Sequence, residues 1–154
     1  MHKFNPNTSG DCAKVGVVVS RFNSAIGDAM LASAVSALKE AGVHDDAITV
    51  ATVPGALETP LALQAMAQTG QFDALVALGA VIRGDTYHFE IVSEQSAAGV
   101  SSVQLEFGVP VGNGILTTNT EEQATARARD KARDAALAAL EMANLLGELR
   151  ELSK

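Results

Sequence analysis

Tryptophan is absent from this chain and cysteine occurs once. Basic residues are few, with 11 Lys and Arg against 18 Asp and Glu in 154 residues. A lone Cys12 excludes an internal disulfide framework, and without clustered Cys and His there is no structural zinc site. A net charge of -7 with no Lys/Arg cluster argues against a nucleic-acid binder, because phosphate contacts need gathered cations. No apolar run approaches the roughly 20 residues of a membrane span. The segment Met1–Cys12 is polar where a signal peptide would carry its apolar core, so a cytoplasmic location and a flexible tail over residues 1–12 are expected. Dinucleotide and P-loop fingerprints are also missing: no G-x-G-x-x-G opens a helix, and no G-x-x-x-x-G-K-[ST] occurs. Aromatics make up only 4% of residues, so the core must be aliphatic and an aromatic outside an apolar run needs a reason.

What is present alternates regularly. Lys14–Ser20 is a continuous β-branched run, as in a strand buried on both faces. Ser24–Ala41 follows with Met30, Leu31, Ala34, Val35 and Leu38 on one helical face, and Gly42 stops it. Ile48–Val53 is a second strand, and Leu57–Gln68 a helix that tolerates Pro60 in its first turn. Ala74–Ile82 is the third strand, Tyr87–Leu105 a helix ended by Gly108, and Val109–Leu116 the fourth strand. Thr120 and Gln123 stand in capping-box spacing before a helix over Glu121–Leu149, with a break expected near Arg129 and Asp130. The order β-α-β-α-β-α-β-α-α predicts one doubly wound α/β domain over residues 13–154. Its four core strands form a parallel sheet with helices on both faces. A chain of this length suits one domain and needs no staples.

Open parallel sheets bind ligands outside the carboxyl ends of their strands. That rule singles out Arg21-Phe22-Asn23, Pro54 to Glu58, Arg83 to His88 and Thr117-Thr118-Asn119. Phe22 is either an aromatic folded back over the sheet edge or a stacking platform for a planar ring, with Asn23 offering a paired donor and acceptor. Around Gly84, the free N–H groups of a helix start and the Thr86 hydroxyl suit an anion. An ordinary N-cap at Asp85 or Thr86 explains the same residues. His88, expected one turn inside that helix, is the one histidine beside this pocket and is suited to proton transfer. Glu58 at a helix start favours the dipole without any function. Arg127 and Lys131 read locally as a solvated charged face.

Taken together, the segments resemble the lumazine synthase family. The resemblance rests on Val19-Ser20-Arg21-Phe22-Asn23, Val53-Pro54-Gly55-Ala56, and Leu78 to Gly84 with Thr86 and His88. It continues through Gly114-Ile115-Leu116-Thr117-Thr118, Glu122-Gln123-Ala124 with Arg127, and Glu141-Met142-Ala143-Asn144. It implies a flavodoxin-like fold and the penultimate step of riboflavin biosynthesis. There, 5-amino-6-(D-ribitylamino)uracil condenses with 3,4-dihydroxy-2-butanone 4-phosphate to give 6,7-dimethyl-8-ribityllumazine, phosphate and water. It implies no metal and no cofactor. By resemblance, Phe22 stacks on the pyrimidine beside Asn23, while Ala56, Leu57 and Glu58 hold the ribityl and pyrimidine parts. The backbone of Ala80, Val81 and Ile82 reads the ring edge. Asp85 and Thr86 meet the phosphate, Arg127 pairs with it from a neighbouring subunit, His88 moves protons, and Lys131 lies near the ribityl chain.

The chain departs from that pattern in three places. Leu57 stands where the family usually has an aromatic, and Asn113 where it often has a Phe that stacks from the neighbour. At about 1 kcal/mol per lost aromatic contact, these changes raise KM rather than abolish turnover. The Arg127–Lys131 stretch lacks the Gly- and Lys-containing insertion of sixty-subunit shells, so a pentamer or a pair of pentamers is expected. Active sites are then shared between adjacent subunits, and the N-terminal tail pairs with a neighbour's sheet edge. The competing expectation is a non-catalytic flavin- or lumazine-binding module, or an assembly scaffold, of the same fold.

Overall fold

Four hydrophobic runs become the strands of one parallel sheet in the computed structural model, which describes residues 1–154. The chain runs β1 (Val15–Ser20), α1 (Ser24–Glu40), β2 (Ile48–Val53), α2 (Thr59–Gln68), β3 (Ala74–Ile82), α3 (His88–Phe107), β4 (Val111–Thr118) and α4 (Glu121–Glu151). The sheet order is β2-β1-β3-β4, with every pair parallel. All six β1 residues are buried, as their unbroken apolar run requires of a central strand. This is a flavodoxin-like α/β architecture.

One face of the sheet packs against α1 and α4 through 21 buried residues. Most of the α4 contribution is alanine: Ala124, Ala128, Ala132, Ala135, Ala136 and Ala139. Small residues on both sides let helix and strand approach closely. A Cβ at Gly112 of β4 would run into the Ala135 carbonyl oxygen, so α4 lies almost directly on the β4 backbone. The other face packs against α2 and α3 through 12 buried residues, among them Leu63, Val100 and Val103.

The structure corrects several boundaries. The C-terminal region is one unbroken 31-residue helix, so the order ends in a single α and the break at Arg129 and Asp130 does not occur. Its apolar face continues in 3.6-residue period through Ala128, Ala132 and Ala135, while the two charged residues point outward as part of an ordinary helix surface. Its start has the expected capping box. Gln123 N–H donates to Thr120 Oγ1 (3.1 Å), and Thr120 N–H donates to Gln123 Oε1 (3.2 Å). β4 begins at Val111 rather than Val109 and extends two residues beyond Leu116 to Thr118. The segment before α2 is a separate 3-10 turn over Ala56–Glu58, and α2 begins at Thr59 with Pro60 in its first positions.

Residues 1–14 hold no helix or strand. The Asn144 side-chain amide on α4 donates to the carbonyls of Asn7 (2.8 Å) and Ser9 (2.9 Å), and Gly10 N–H donates to Ala41 O (2.8 Å).

Candidate active site

The chain leaves β1 through α1 to reach β2 on one side, whereas β3 lies on the other side of β1. A crevice therefore opens at the carboxyl ends of β1 and β3, where such a fold receives ligands. It holds a cleft of about 430 Å³. Phe22 and Asn23 enter from the end of β1, Gly55 to Glu58 from the turn after β2, Ala80 to Ile82 from β3, and His88 and Val92 from α3.

Phe22 is 79% exposed, so it does not fold back into the core. Its ring rests on the turn after β2, where a Cβ at position 55 would lie 2.5 Å from the ring. Gly55 is thus the residue that lets an aromatic plane lie flat beside the cleft. Leu57 contributes a second apolar wall, and Glu58 is the carboxylate among the lining residues.

The floor follows from strand register. The last β1 partner of β3 is Val19 opposite Leu78, whereas β3 stays paired with β4 as far as Ile82 opposite Thr118. Gly79–Ile82 therefore outruns β1 and leaves one edge open. Backbone groups alternate sides along a strand. Leu75 and Arg83 donate toward β4, to Pro110 O and Thr118 O, so the even-numbered residues face the open side. Ala80 confirms this, since its carbonyl accepts from Asn23 Nδ2 at 2.9 Å. Ile82 then presents its N–H and C=O to the cleft, a donor–acceptor pair fixed in the main chain.

The Arg83–Tyr87 connection forms the far rim. The N-cap of α3 is Tyr87, with no side-chain cap, so neither Asp85 nor Thr86 caps the helix. His88 is the first residue of α3, not one turn inside it, which places its ring at the mouth of the cleft. The backbone N–H groups of Gly84, Asp85, Thr86 and Tyr87 donate to nothing within the chain, and Thr86 Oγ1 accepts weakly from His88 N–H at 3.4 Å. Unused donors beside the positive end of a helix dipole suit an anion. Asp85 and Thr86 are both exposed on this rim.

Three of the expected residues lie elsewhere in the chain. Arg127 is exposed on α4, with Nη1 donating to Gln123 O at 3.0 Å, and Lys131 is exposed one turn on. Asn113 is exposed on β4, its Oδ1 accepting from Ile115 N–H at 3.1 Å, in a separate groove with Ser93, Ser96 and Thr117. No Lys or Arg lines the cleft. No three His, Cys, Asp or Glu side chains converge to hold a metal, and no helix is long and apolar enough to cross a membrane.

Residue-by-residue reasoning overlooked Glu90, which pairs with Arg83, and singled out the Thr117–Asn119 segment without giving Asn119 its role, which is to accept from Arg83 Nε at 2.8 Å. The signal for the Arg83–Asn119 contact was their position, because each directly follows a strand, whereas nothing local marked Glu90. The Arg83 hydrogen bond, with help from Glu90's own backbone N–H, holds the Glu90 carboxyl below the usual carboxylate range.

Comparison with known proteins identifies the family. The family profile of 6,7-dimethyl-8-ribityllumazine synthase matches residues 12–147. The chain is 55% identical over 152 residues to a protein of that name from Nitrosospira multiformis, covering 99% of this chain and 95% of the other. A Cupriavidus necator protein of the same name is also 55% identical, with 98% and 92% covered. A third, from Ralstonia pickettii, is 53% identical, with 96% and 90% covered. With profile and relatives matching along nearly its whole length, the chain belongs to the 6,7-dimethyl-8-ribityllumazine synthase family.

Proposed function

We propose that the chain condenses 5-amino-6-(D-ribitylamino)uracil with 3,4-dihydroxy-2-butanone 4-phosphate to form 6,7-dimethyl-8-ribityllumazine in riboflavin biosynthesis. One observation carries this reading beyond family membership. A single cleft joins an exposed aromatic plane at Phe22, a free backbone donor–acceptor pair at Ile82, and unpaired N–H groups on the rim beside His88. Those are the features that a planar pyrimidine and a phosphorylated ketone require together.

The pyrimidine stacks on Phe22 with its polar edge toward Ile82, and Glu58 accepts from ribityl hydroxyls or ring N–H. The phosphate sits over Gly84–Tyr87, orienting the ketone toward the pyrimidine amine. The amine attacks the carbonyl, water leaves, and a Schiff base forms. Elimination of phosphate leaves a carbonyl beside the imine, the second amine attacks it, and a second water departs as the ring closes. His88 stands where protons must move between nitrogen, carbon and the leaving phosphate. Most of the acceleration comes from holding two reactants in register, an effect whose effective molarity reaches about 10⁵ M or more when orientation is good.

A dianionic phosphate calls for a cation, and this chain's own cleft has none. Arg127 and Lys131, exposed on the long helix, are free to serve the cleft of an adjacent copy. This supports a homo-oligomer with shared sites, for which we propose a pentamer or decamer in the cytoplasm. The uninterrupted α4 supports the smaller assemblies over a shell.

The test is product formation by purified protein with both substrates, followed by lumazine absorbance against the uncatalysed background. Arg127→Ala should lower kcat/KM by about 100-fold, the scale for losing a charged transition-state contact. His88→Ala should cost less if positioning outweighs proton transfer. Absence of turnover, with quenching of added riboflavin fluorescence, would replace this reading with a binding module.

A further inference from the structure

Beyond the residues that would touch substrate, we propose that Arg83 is a positioning residue, holding the rim of the cleft and His88 in their working geometry. The inference rests on the functional reading above for what the rim binds, and on the following contacts for how it is held.

The rim has little else to hold it. Gly84 has no neighbour within 4 Å of where a Cβ would be, and Asp85, Thr86 and Tyr87 are exposed. Between Arg83 N–H and the first bonded amide of α3, Ile91 N–H to Tyr87 O at 3.3 Å, the 3.4 Å contact from His88 N–H to Thr86 Oγ1 is the sole hydrogen bond that a backbone N–H donates to another residue. Arg83 sits at the hinge of this stretch and grips both ends. Its backbone N–H donates to Thr118 O at 2.9 Å, which pins it to β4. Its Nε donates to Asn119 Oδ1 at 2.8 Å. Its Nη1 pairs with Glu90 in the first turn of α3, and its guanidinium lies 4.3 Å from the centre of the Phe89 ring. Phe89 and Glu90 are the two residues after His88, so both contacts fix the helix start that carries the histidine.

A simple exposed ion pair contributes little. This arrangement differs because one planar group engages three residues at once, Glu90 and Phe89 of α3 and Asn119 after β4, through two fork directions and a stacked face. A lysine ammonium cannot reproduce that geometry. The contacts also continue into α4: Asn119 N–H donates to Gln123 Oε1 at 2.9 Å, the oxygen that completes the capping box. The starts of α3 and α4 are thereby referenced to one guanidinium.

The test is steady-state kinetics with each substrate varied separately, together with amide hydrogen exchange of the free protein. Arg83→Met should raise KM for the butanone phosphate about tenfold, since small misplacements of positioning groups cost ten- to a hundredfold. It should leave KM for the ribitylaminouracil within about twofold, because Phe22 and Ile82 are held independently. Arg83→Lys should recover only part of the loss. Glu90→Gln, which keeps an acceptor oxygen, should lie closer to the parent than Glu90→Ala does. Exchange at Ile91 and Val92 should accelerate in Arg83→Met while the β3 amides stay protected. Equal rises in both KM values, or unchanged KM values with unchanged exchange, would overturn the proposal. If the parent protein gives no product, the functional reading fails, and the exchange result alone decides whether Arg83 holds the rim. Should Arg83→Met not fold, Arg83→Lys carries the same comparison.

Discussion

The two faces of the sheet are finished to different degrees. On the α1/α4 face, alanines and glycines let a helix lie on bare strand, and 21 buried residues form one cluster, with Met142 and Leu149 of α4 exposed beyond it. On the α2/α3 face only 12 residues are buried, and Leu57, Leu61, Tyr87, Ile91 and Leu105 remain exposed. The cleft opens on this second, lighter face, among residues from α3 and the turn before α2. Burial is concentrated on one side, and the cleft lies on the other. A site that must bind and release ligands benefits from standing away from the most tightly packed layer.

The sharpest way to break this comparison is a matched pair of truncations at two fully buried leucines. Leu140→Ala in α4 should cost about 4 kcal/mol and Leu63→Ala in α2 about 2.5 kcal/mol, because a dense layer relaxes less around a cavity. Denaturant midpoints at fixed protein concentration measure both, and equal losses would erase the distinction between faces. Gly112→Ala comes next, at about 3 kcal/mol, since its Cβ meets backbone that can move only if α4 shifts. A melting temperature within a degree or two of the parent would show that the helix stands further off than described.

Phe22→Ala should act in the opposite sense. Losing a stacked pyrimidine contact of about 1.4 kcal/mol raises KM for the ribitylaminouracil about tenfold. The melting temperature stays put, because the ring is mostly in solvent. A marked loss of stability instead would mean that the ring is structural. The smallest effect is at Glu90, whose folded carboxyl titrates below its unfolded value because of the Arg83 hydrogen bond. Its contribution is present above the unfolded glutamate value of about 4.3 and is lost as pH falls through the lower folded value. Acid unfolding of Glu90→Gln should lack that component, seen as a slightly flatter stability curve below about pH 4.3.

Much of this was legible in sequence where local chemistry and fold agree. The β1 and β3 runs, the Gly108 stop and the Thr120–Gln123 box were all readable, because each is decided by neighbouring residues. The invented break in α4 shows the limit. Arg129 and Asp130 look like an interruption along the chain, yet on the helix they occupy its solvent side while alanines keep the other side continuous. His88, expected one turn inside the helix, is its first residue, because α3 begins after an uncapped Tyr87. Arg127, Lys131 and Asn113 came from the family resemblance alone. Their positions outside the cleft explain why local reading found only a charged helix face and a strand residue.

The open edge where β3 outruns β1 has an evolutionary side. Most of a binding site can be rewritten one codon at a time, but a main-chain N–H and C=O are encoded by no particular residue. Short of proline, any substitution at Ile82 keeps the same pair of groups in the same register. Drift can therefore change the walls of the cleft while the floor goes on presenting the same hydrogen-bonding face. A lineage can relax or sharpen its grip on a planar ring without forgetting how to orient it.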